Sequence, residues 1–191
     1  PLPEAQLDRF FFKLLVKYSS REDMAEILAR TTGADVPAIE PVLEADRILA
    51  HQRLVRRVAI APHVQDYAIR MVLATRPADE VSGSDGALAT PMVKQFIRVG
   101  ASPRAAQALT LGAKCRALVD GRAAVSVADI REIALAALRH RIILNFEAEA
   151  EGVTADRIVT NLVETLPVGS WRAISPQDDG GMFRLWRPVT L

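Results

Sequence analysis

The residue whose type and position most suggest chemistry is Arg104, in the run Ser102-Pro103-Arg104. Serine is a favoured N-cap and proline a favoured first helical residue, so a helix is predicted to begin here with Arg104 in its first turn. A cation at that place opposes the helix dipole, at a cost of about 0.3–1 kcal/mol. An anion shared by the free N–H groups of that turn and the guanidinium would reverse this penalty, and a phosphate group fits. The alternative is an exposed arginine that merely tolerates its place.

A second arginine, Arg9, lies in the run 2–10, at the end of a predicted short polar helix and just before the predicted strand. A cation suits the C-terminus of a helix. A broader basic region covers 94–141, where nine Lys and Arg outnumber three Asp and Glu. Such an excess is typical of a nucleic-acid footprint, but these cations are spread over several helix faces without aromatic residues between them. A solvated surface is therefore the favoured interpretation.

Common catalytic patterns are absent from the sequence. No lysine is followed by serine or threonine, which excludes a G-x-x-x-x-G-K-[ST] phosphate-binding loop. No apolar strand ends in paired acids that would hold a magnesium ion, and His51, His63 and His140 lack the spacing of metal ligands. No metal site is predicted. Cys115 is expected to be a small core residue on the inner side of a helix, and 83–86 is expected to be a turn.

Composition sets the broad class. The chain has 191 residues, 24 Lys and Arg against 23 Asp and Glu, and 50% hydrophobic residues. This favours one packed domain, or one and a piece, over a disordered chain. A single cysteine excludes an internal disulfide framework and favours a reducing compartment, the cytoplasm. No apolar run is long enough to span a membrane, and the first residues do not have the pattern of a signal peptide.

Helix caps and hydrophobic period organise the chain as mainly α. The predicted helices cover 20–32, 44–58 and 62–76, then 103–120, a fifth after the cap Ser126 and a last after the cap Thr154. The segments between them are a linker at 34–43, a long loop at 77–91, a short extended piece at 96–99 and an ambiguous stretch at 141–151.

Several side-chain environments follow from the same patterns. In the second helix Ile48, Leu49, Val55 and Val58 are expected to point inward. In the third helix, the pair Asp66 and Arg70 is expected to be a solvated i, i+4 ion pair.

The beginning of the chain departs from this helical scheme. Aromatic and branched residues alternate with lysines over 12–17, which predicts a strand. A lone strand cannot satisfy its own N–H and C=O groups, and no second strong strand appears before residue 96. The expectation is that its partners precede residue 1 in a larger protein. The alternative is that 4–17 forms a helix packed on the bundle.

Three ordered motifs resemble a known family. The run Pro1-Leu2-Pro3-Glu4-Ala5-Gln6-Leu7-Asp8-Arg9-Phe10 resembles the end of the ATPase core in MoxR-type AAA+ ATPases. The run Gly100-Ala101-Ser102-Pro103-Arg104-Ala105 resembles the sensor 2 motif of that family. The runs Leu138-Arg139-His140-Arg141 and Asn145-Phe146-Glu147-Ala148-Glu149 together resemble the late lid segment of that family. The likeness covers 1 to about 166.

The resemblance implies a helical-bundle lid domain preceded by a short remnant, helix and strand, of an α/β ATPase core. Residues 1–18 would be the core remnant and 19–166 the lid. Residues 167–191 would be an extension, docked or partly disordered. The Walker A and Walker B segments and sensor 1 are not in this sequence, so hydrolysis by this chain alone is not expected.

The resemblance also assigns roles. Arg9 falls at the arginine finger, which acts on the nucleotide of a neighbouring subunit, and Arg104, with Ser102, falls at sensor 2, which contacts ATP within its own subunit. Tyr18, at the joint of core and lid, would lie beside the adenine. ATP is the implied cofactor, with magnesium only where the core is present. Hexameric rings, chaperone-like remodelling and a von Willebrand factor A-domain partner are implied as well. A stand-alone helical interaction module, contacting nucleic acid through 94–141, is the alternative.

Overall fold

The computed structural model describes residues 3–34, 39–77, 81 and 87–169. The predicted turn at 83–86 and the extension from residue 170 onward lie outside the described residues. In chain order the elements are α1 (Glu4–Leu7), α2 (Arg21–Thr31), α3 (Ala45–Arg57), β1 (Ala59–Ile60), α4 (Pro62–Leu73), α5 (Pro91–Phe96), β2 (Ile97–Val99), α6 (Pro103–Val119), β3 (Ala124–Val125), α7 (Val127–Leu138), β4 (Ile143–Leu144), α8 (Phe146–Ala150) and α9 (Ala155–Thr165). The expectation of a mainly helical chain with a short preceding remnant is confirmed.

The helices begin where the caps predict. Ser20 accepts from the backbone N–H of Asp23, whose carboxylate accepts in return from the N–H of Ser20, a capping box that begins α2. Ser126 and Asp129 form the same box at α7. Because these contacts are local, the sequence predicts them without knowledge of the packing.

One helix was not predicted. The proposed loop at 77–91 ends in α5, which is capped by Thr90 and has Pro91 at its first position. The extended piece expected at 96–99 is confirmed as β2, which pairs antiparallel with β4. The ambiguous stretch at 141–151 contains β4 and α8. A second, parallel pair joins β1 to β3 and ties the end of α3 to the start of α7.

The core lies between α4, α6, α7 and α9. It is built from small and branched residues, and its largest fully buried side chains are Tyr67, Met71, Leu109, Ile130, Leu138, Ile158 and Leu162. Arg70 corrects an expectation, since it is only 7% exposed. Its Nε lies 2.7 Å from Asp66, and its Nη1 donates to the carbonyl of Pro167 at 2.8 Å. The ion pair is therefore part of the packed structure.

The apolar face of α3 corrects a second expectation. Ile48 and Leu49 were predicted to point inward, but both are exposed. Val58, just after α3, is buried as predicted, and Val55 is half-buried. Cys115, expected in the core, is also exposed, and it lines an apolar groove of about 510 Å³ between α3, α6 and α7.

The N-terminal segment is not helical beyond α1, so the alternative of one helix over 4–17 is wrong. The structure assigns no strand to 12–17 either, and the residues from Lys13 to Ser20 are exposed. The segment lies against the helices at its beginning. The N–H of Lys13 donates to the carbonyl of Ala136 at 2.9 Å, and the ring of Phe12 contacts Gly112 on α6.

Candidate anion-binding site

Asp8 joins three parts of the chain. Its two carboxylate oxygens each lie 2.9 Å from the hydroxyl oxygen of Ser102, which donates its one proton between them. The carboxylate also lies 3.4 Å from Nη1 of Arg104 and 3.4 Å from Nε of Arg141. The beginning of the chain, the start of α6 and the segment after α7 therefore meet at one carboxylate.

Arg104 occupies the predicted place at the start of α6. The hydroxyl of Ser102 accepts from its backbone N–H at 3.2 Å, and its side chain is 60% exposed. A contact at 3.4 Å with this much exposure is a weak ion pair, because water screens it. The guanidinium is accordingly available to a stronger anion at the helix N-terminus, where the dipole favours negative charge.

Arg141 is a site residue that sequence reasoning missed. Its side chain is 2% exposed, and it donates to the carbonyls of Phe10 at 2.6 Å, of Phe11 at 3.1 Å and of Ala137. Burial lowers the pKa of the Arg141 guanidinium, while Asp8 acts in the opposite direction. An arginine remains protonated in proteins, so this is a buried cation whose nearest anion is Asp8.

These residues border a pocket of about 270 Å³. Its lining consists of Asp8, Arg9, Phe11, Arg104, Gln107, Ala108, Leu111 and Arg141. Arg9 is exposed there, with its guanidinium 5.4 Å from the centre of the Phe10 ring. Three guanidinium groups and one carboxylate give the lining a net charge of +2. A pocket of this charge beside a helix N-terminus is suited to a phosphate group.

The structure brings some of the predicted site residues together and leaves one apart. Arg9 and Arg104 line the same pocket, and Ser102 is joined to it through Asp8. Tyr18 does not line this pocket, and its side chain is 90% exposed. Within the ranges that the structure describes, no group of three or more His, Cys, Asp or Glu is placed to hold a metal ion.

Comparison with known proteins bears on this arrangement. Residues 90–162 match the family model described as "AAA lid domain". The chain is 33% identical over 177 residues to Chaperone MoxR1 of Mycobacterium tuberculosis, covering 93% of this chain and 45% of that protein. It is 32% identical to the uncharacterized protein YeaC of Bacillus subtilis, covering 88% of this chain and 48% of that one.

A solved structure agrees in fold. The crystal structure of a putative ATPase from Cytophaga hutchinsonii superimposes with a TM-score of 0.74 at 34% identity, covering 87% of this chain and 49% of that chain. The chain belongs to the MoxR-type AAA+ ATPases. It carries their C-terminal, lid-containing portion, and it spans about half the length of the curated relatives it matches.

In this MoxR-type lid, most cations of the basic region 94–141 contact other groups of the same chain. Several of its cations contact carboxylates, namely Arg104 with Asp8, Arg116 with Glu132, Arg122 with Asp129, Arg139 with Asp156 and Arg141 with Asp8. Internal ion pairs reduce the charge that the surface offers to nucleic acid. Among the helices of the described residues, none is long and apolar enough to cross a membrane.

Asp8 and Arg141 lie inside the two motifs at either end of the resemblance, yet neither was predicted as a site residue. Asp8 stands beside Arg9 in a polar run and Arg141 directly follows Arg139 and His140, so nothing in their immediate sequence singles them out. Their pairing was not predictable, because it joins positions 133 residues apart and depends on how the N-terminal segment lies on the lid.

Proposed function

We propose that this chain works with an AAA+ ATPase core and contributes Arg9 and Arg104 to a phosphate of ATP. When bound, ATP supplies the phosphoryl group that is transferred to water. The residues of this chain bind and orient that group and stabilise its charge. The observation that carries the proposal is the pocket lined by both arginines at the N-terminus of α6.

The shared pocket refines the roles expected from the resemblance. An arginine finger acting on a neighbour and a sensor 2 arginine acting on its own subunit would need two separate nucleotides. Arg9 and Arg104 line one pocket of about 270 Å³, which favours a single phosphate group for both. We therefore propose that both arginines act on the same nucleotide. If Arg9 reaches into a neighbouring subunit, Arg104 reaches there with it.

The electrostatics of the pocket support this assignment. Arg104 has only a long, screened contact with Asp8, so a phosphate can replace the carboxylate at little cost. Arg9 has no carboxylate partner among the described residues; its contact is the Phe10 ring. Two guanidinium groups on one phosphoryl group are suited to stabilise the charge of its transfer. Tyr18 as an adenine contact remains a prediction.

The assembly and the task of the whole protein are proposals from the family. We propose an oligomeric ring, because an arginine finger requires a neighbouring subunit. A ring of six subunits follows from the resemblance, and a cytoplasmic location follows from the single cysteine. One relative is named a chaperone, which supports remodelling of other proteins as the task. A von Willebrand factor A-domain protein as the partner stays a prediction from the resemblance.

The test is ATP turnover in a protein that joins these residues to the ATPase core. Arg9→Ala and Arg104→Ala are each expected to lower kcat by about 10³-fold, since an arginine finger is worth 10³ or more in rate. Arg157→Ala, at an exposed position of α9, is the matched control and is expected to leave kcat unchanged. Normal turnover in both pocket variants would show that the assignment is wrong.

A further inference from the structure

The Asp8 carboxylate contacts Ser102 and Arg104 at the start of α6 and Arg141 after α7. The single hydroxyl proton of Ser102 is shared between the two oxygens of Asp8, each 2.9 Å from the hydroxyl oxygen, whereas Arg104 and Arg141 approach the carboxylate at 3.4 Å. The side chain of Asp8 is only 21% exposed, so this hydrogen bond is protected from water. It is the strongest contact that Asp8 makes, and it does not involve the side chain of Arg104.

The backbone after Asp8 is held by the end of α7 and by the residues that directly follow it. The carbonyl of Phe10 accepts from Arg141 and lies 2.9 Å from Nε2 of His140, and the carbonyl of Phe11 accepts from Arg141. The N–H of Lys13 donates to the carbonyl of Ala136. The carbonyl of Lys13 accepts from Arg139 at 3.3 Å. Contacts therefore precede and follow Arg9, whose own side chain remains exposed in the pocket.

From this geometry we propose that Asp8 is a positioning residue, which fixes the segment carrying Arg9 to the start of α6 so that Arg9 and Arg104 act as one unit. Arg104 leaves Asp8 when a phosphate enters, and the hydroxyl of Ser102 and the guanidinium of Arg141 keep Asp8 in place. Two groups held in one geometry act on a phosphoryl group far better than two that move independently. This inference rests on the proposed function of the two arginines.

The test is a double-mutant cycle measured as ATP turnover in the protein that includes the core. With Asp8 intact, Arg9→Ala and Arg104→Ala together should reduce kcat by about tenfold less than the product of the single reductions, because residues acting as a unit are not additive. In the Asp8→Ala background the two reductions should multiply. Persistence of the coupling in that background would overturn the proposal.

The matched control is Asp46→Ala, an exposed aspartate in the first turn of α3. It should leave the coupling between the two arginines unchanged. A loss of coupling in this control as great as in Asp8→Ala would also overturn the proposal, because the effect would then not be specific to Asp8.

A second measurement uses the 191-residue chain without nucleotide. Asp8→Ala should speed hydrogen exchange of the Lys13 amide by about tenfold, because the segment then opens locally more often. Amides of the core helices should keep their protection, since Asp8 is not part of the core. Unchanged exchange at Lys13 would overturn the proposal. If Arg9→Ala and Arg104→Ala leave turnover normal, the proposed function fails, and the exchange result alone decides whether Asp8 holds the segment.

Discussion

The ring of Phe12 lies directly over Gly112 on α6, where a Cβ atom would stand 2.9 Å from the Cζ of that ring. The same Cβ would meet the Cγ2 of Ile133 at 2.9 Å. Glycine inside a helix costs about 1 kcal/mol relative to alanine, so its place here is accounted for by the close approach of these side chains. Gly112 thus makes room for the N-terminal segment to dock on the lid.

Gly112→Ala is expected to destabilise the chain through this contact. Overpacking typically costs about 1–3 kcal/mol, which exceeds the gain in helix propensity. In the Phe12→Ala background the cost should be smaller by about 1 kcal/mol or more, because one of the two clashing side chains is gone. Urea unfolding of the four chains measures this difference. An equal cost in both backgrounds would show that the ring does not rest on Gly112.

Asp129→Asn should be strongly destabilising. Asp129 is buried, its carboxylate accepts from Arg122 at 2.5 and 2.8 Å, and it closes the capping box of α7. Breaking a buried pair on one side costs about 3–5 kcal/mol, and the exposure of Arg122 places this case at the lower end. The control is Glu26→Gln, which removes an exposed pair with Arg30 and should cost less than about 0.5 kcal/mol in the same urea experiment. Similar costs for the two variants would contradict this account.

Acid should weaken the chain through the same carboxylate. Hydrogen bonds from Arg122 lower the pKa of Asp129 from 3.8 to about 2. The folded state therefore holds this proton less tightly than the unfolded state does. The stabilisation, roughly 2 kcal/mol, is complete above pH 5 and is lost as pH falls toward 2. Urea unfolding at several pH values should show this decline, and Asp129→Asn should make it shallower. An unaltered slope in the variant would place the effect elsewhere.

His140 should titrate below 6.5. Burial lowers its pKa, and the cations Arg141 and Lys13 act in the same direction, while the carbonyl of Phe10 acts against them. Because the folded state binds this proton less tightly, protonation of His140 should destabilise the docked segment as pH falls below 6.5. An NMR titration of the ring protons measures the midpoint. A midpoint at or above 6.5 would contradict the half-buried placement of the ring.

The sequence was sufficient for four helix starts, because their determinants are local. The caps Ser20, Ser102, Ser126 and Thr154 each lie where a predicted helix begins. The same reasoning was available for α5, since Thr90-Pro91 repeats the cap and proline of Ser102-Pro103. Glycine, serine and aspartate in the preceding residues favour one continuous loop, and this signal outweighs the cap of α5.

The sequence was insufficient wherever a partner is distant. The period of Ile48 and Leu49 indicates which side of α3 is apolar, but it cannot indicate whether another element covers that side. The burial of Arg70 depends on the carbonyl of Pro167, 97 residues away. In the candidate site, the resemblance singled out Arg9 and Arg104 separately, while their common pocket required the fold.

The hydrogen bond from Arg70 to the carbonyl of Pro167 has a mechanical consequence. It connects α4, the first helix of the core, to the residues that directly follow α9, its last helix, and Leu166 beside it is buried. Fraying from the C-terminal side would have to expose a guanidinium that is otherwise enclosed, so the bundle resists unzipping from that end. A force applied to the chain beyond Pro167 would accordingly act on α4 through this hydrogen bond as well as on α9 through the backbone.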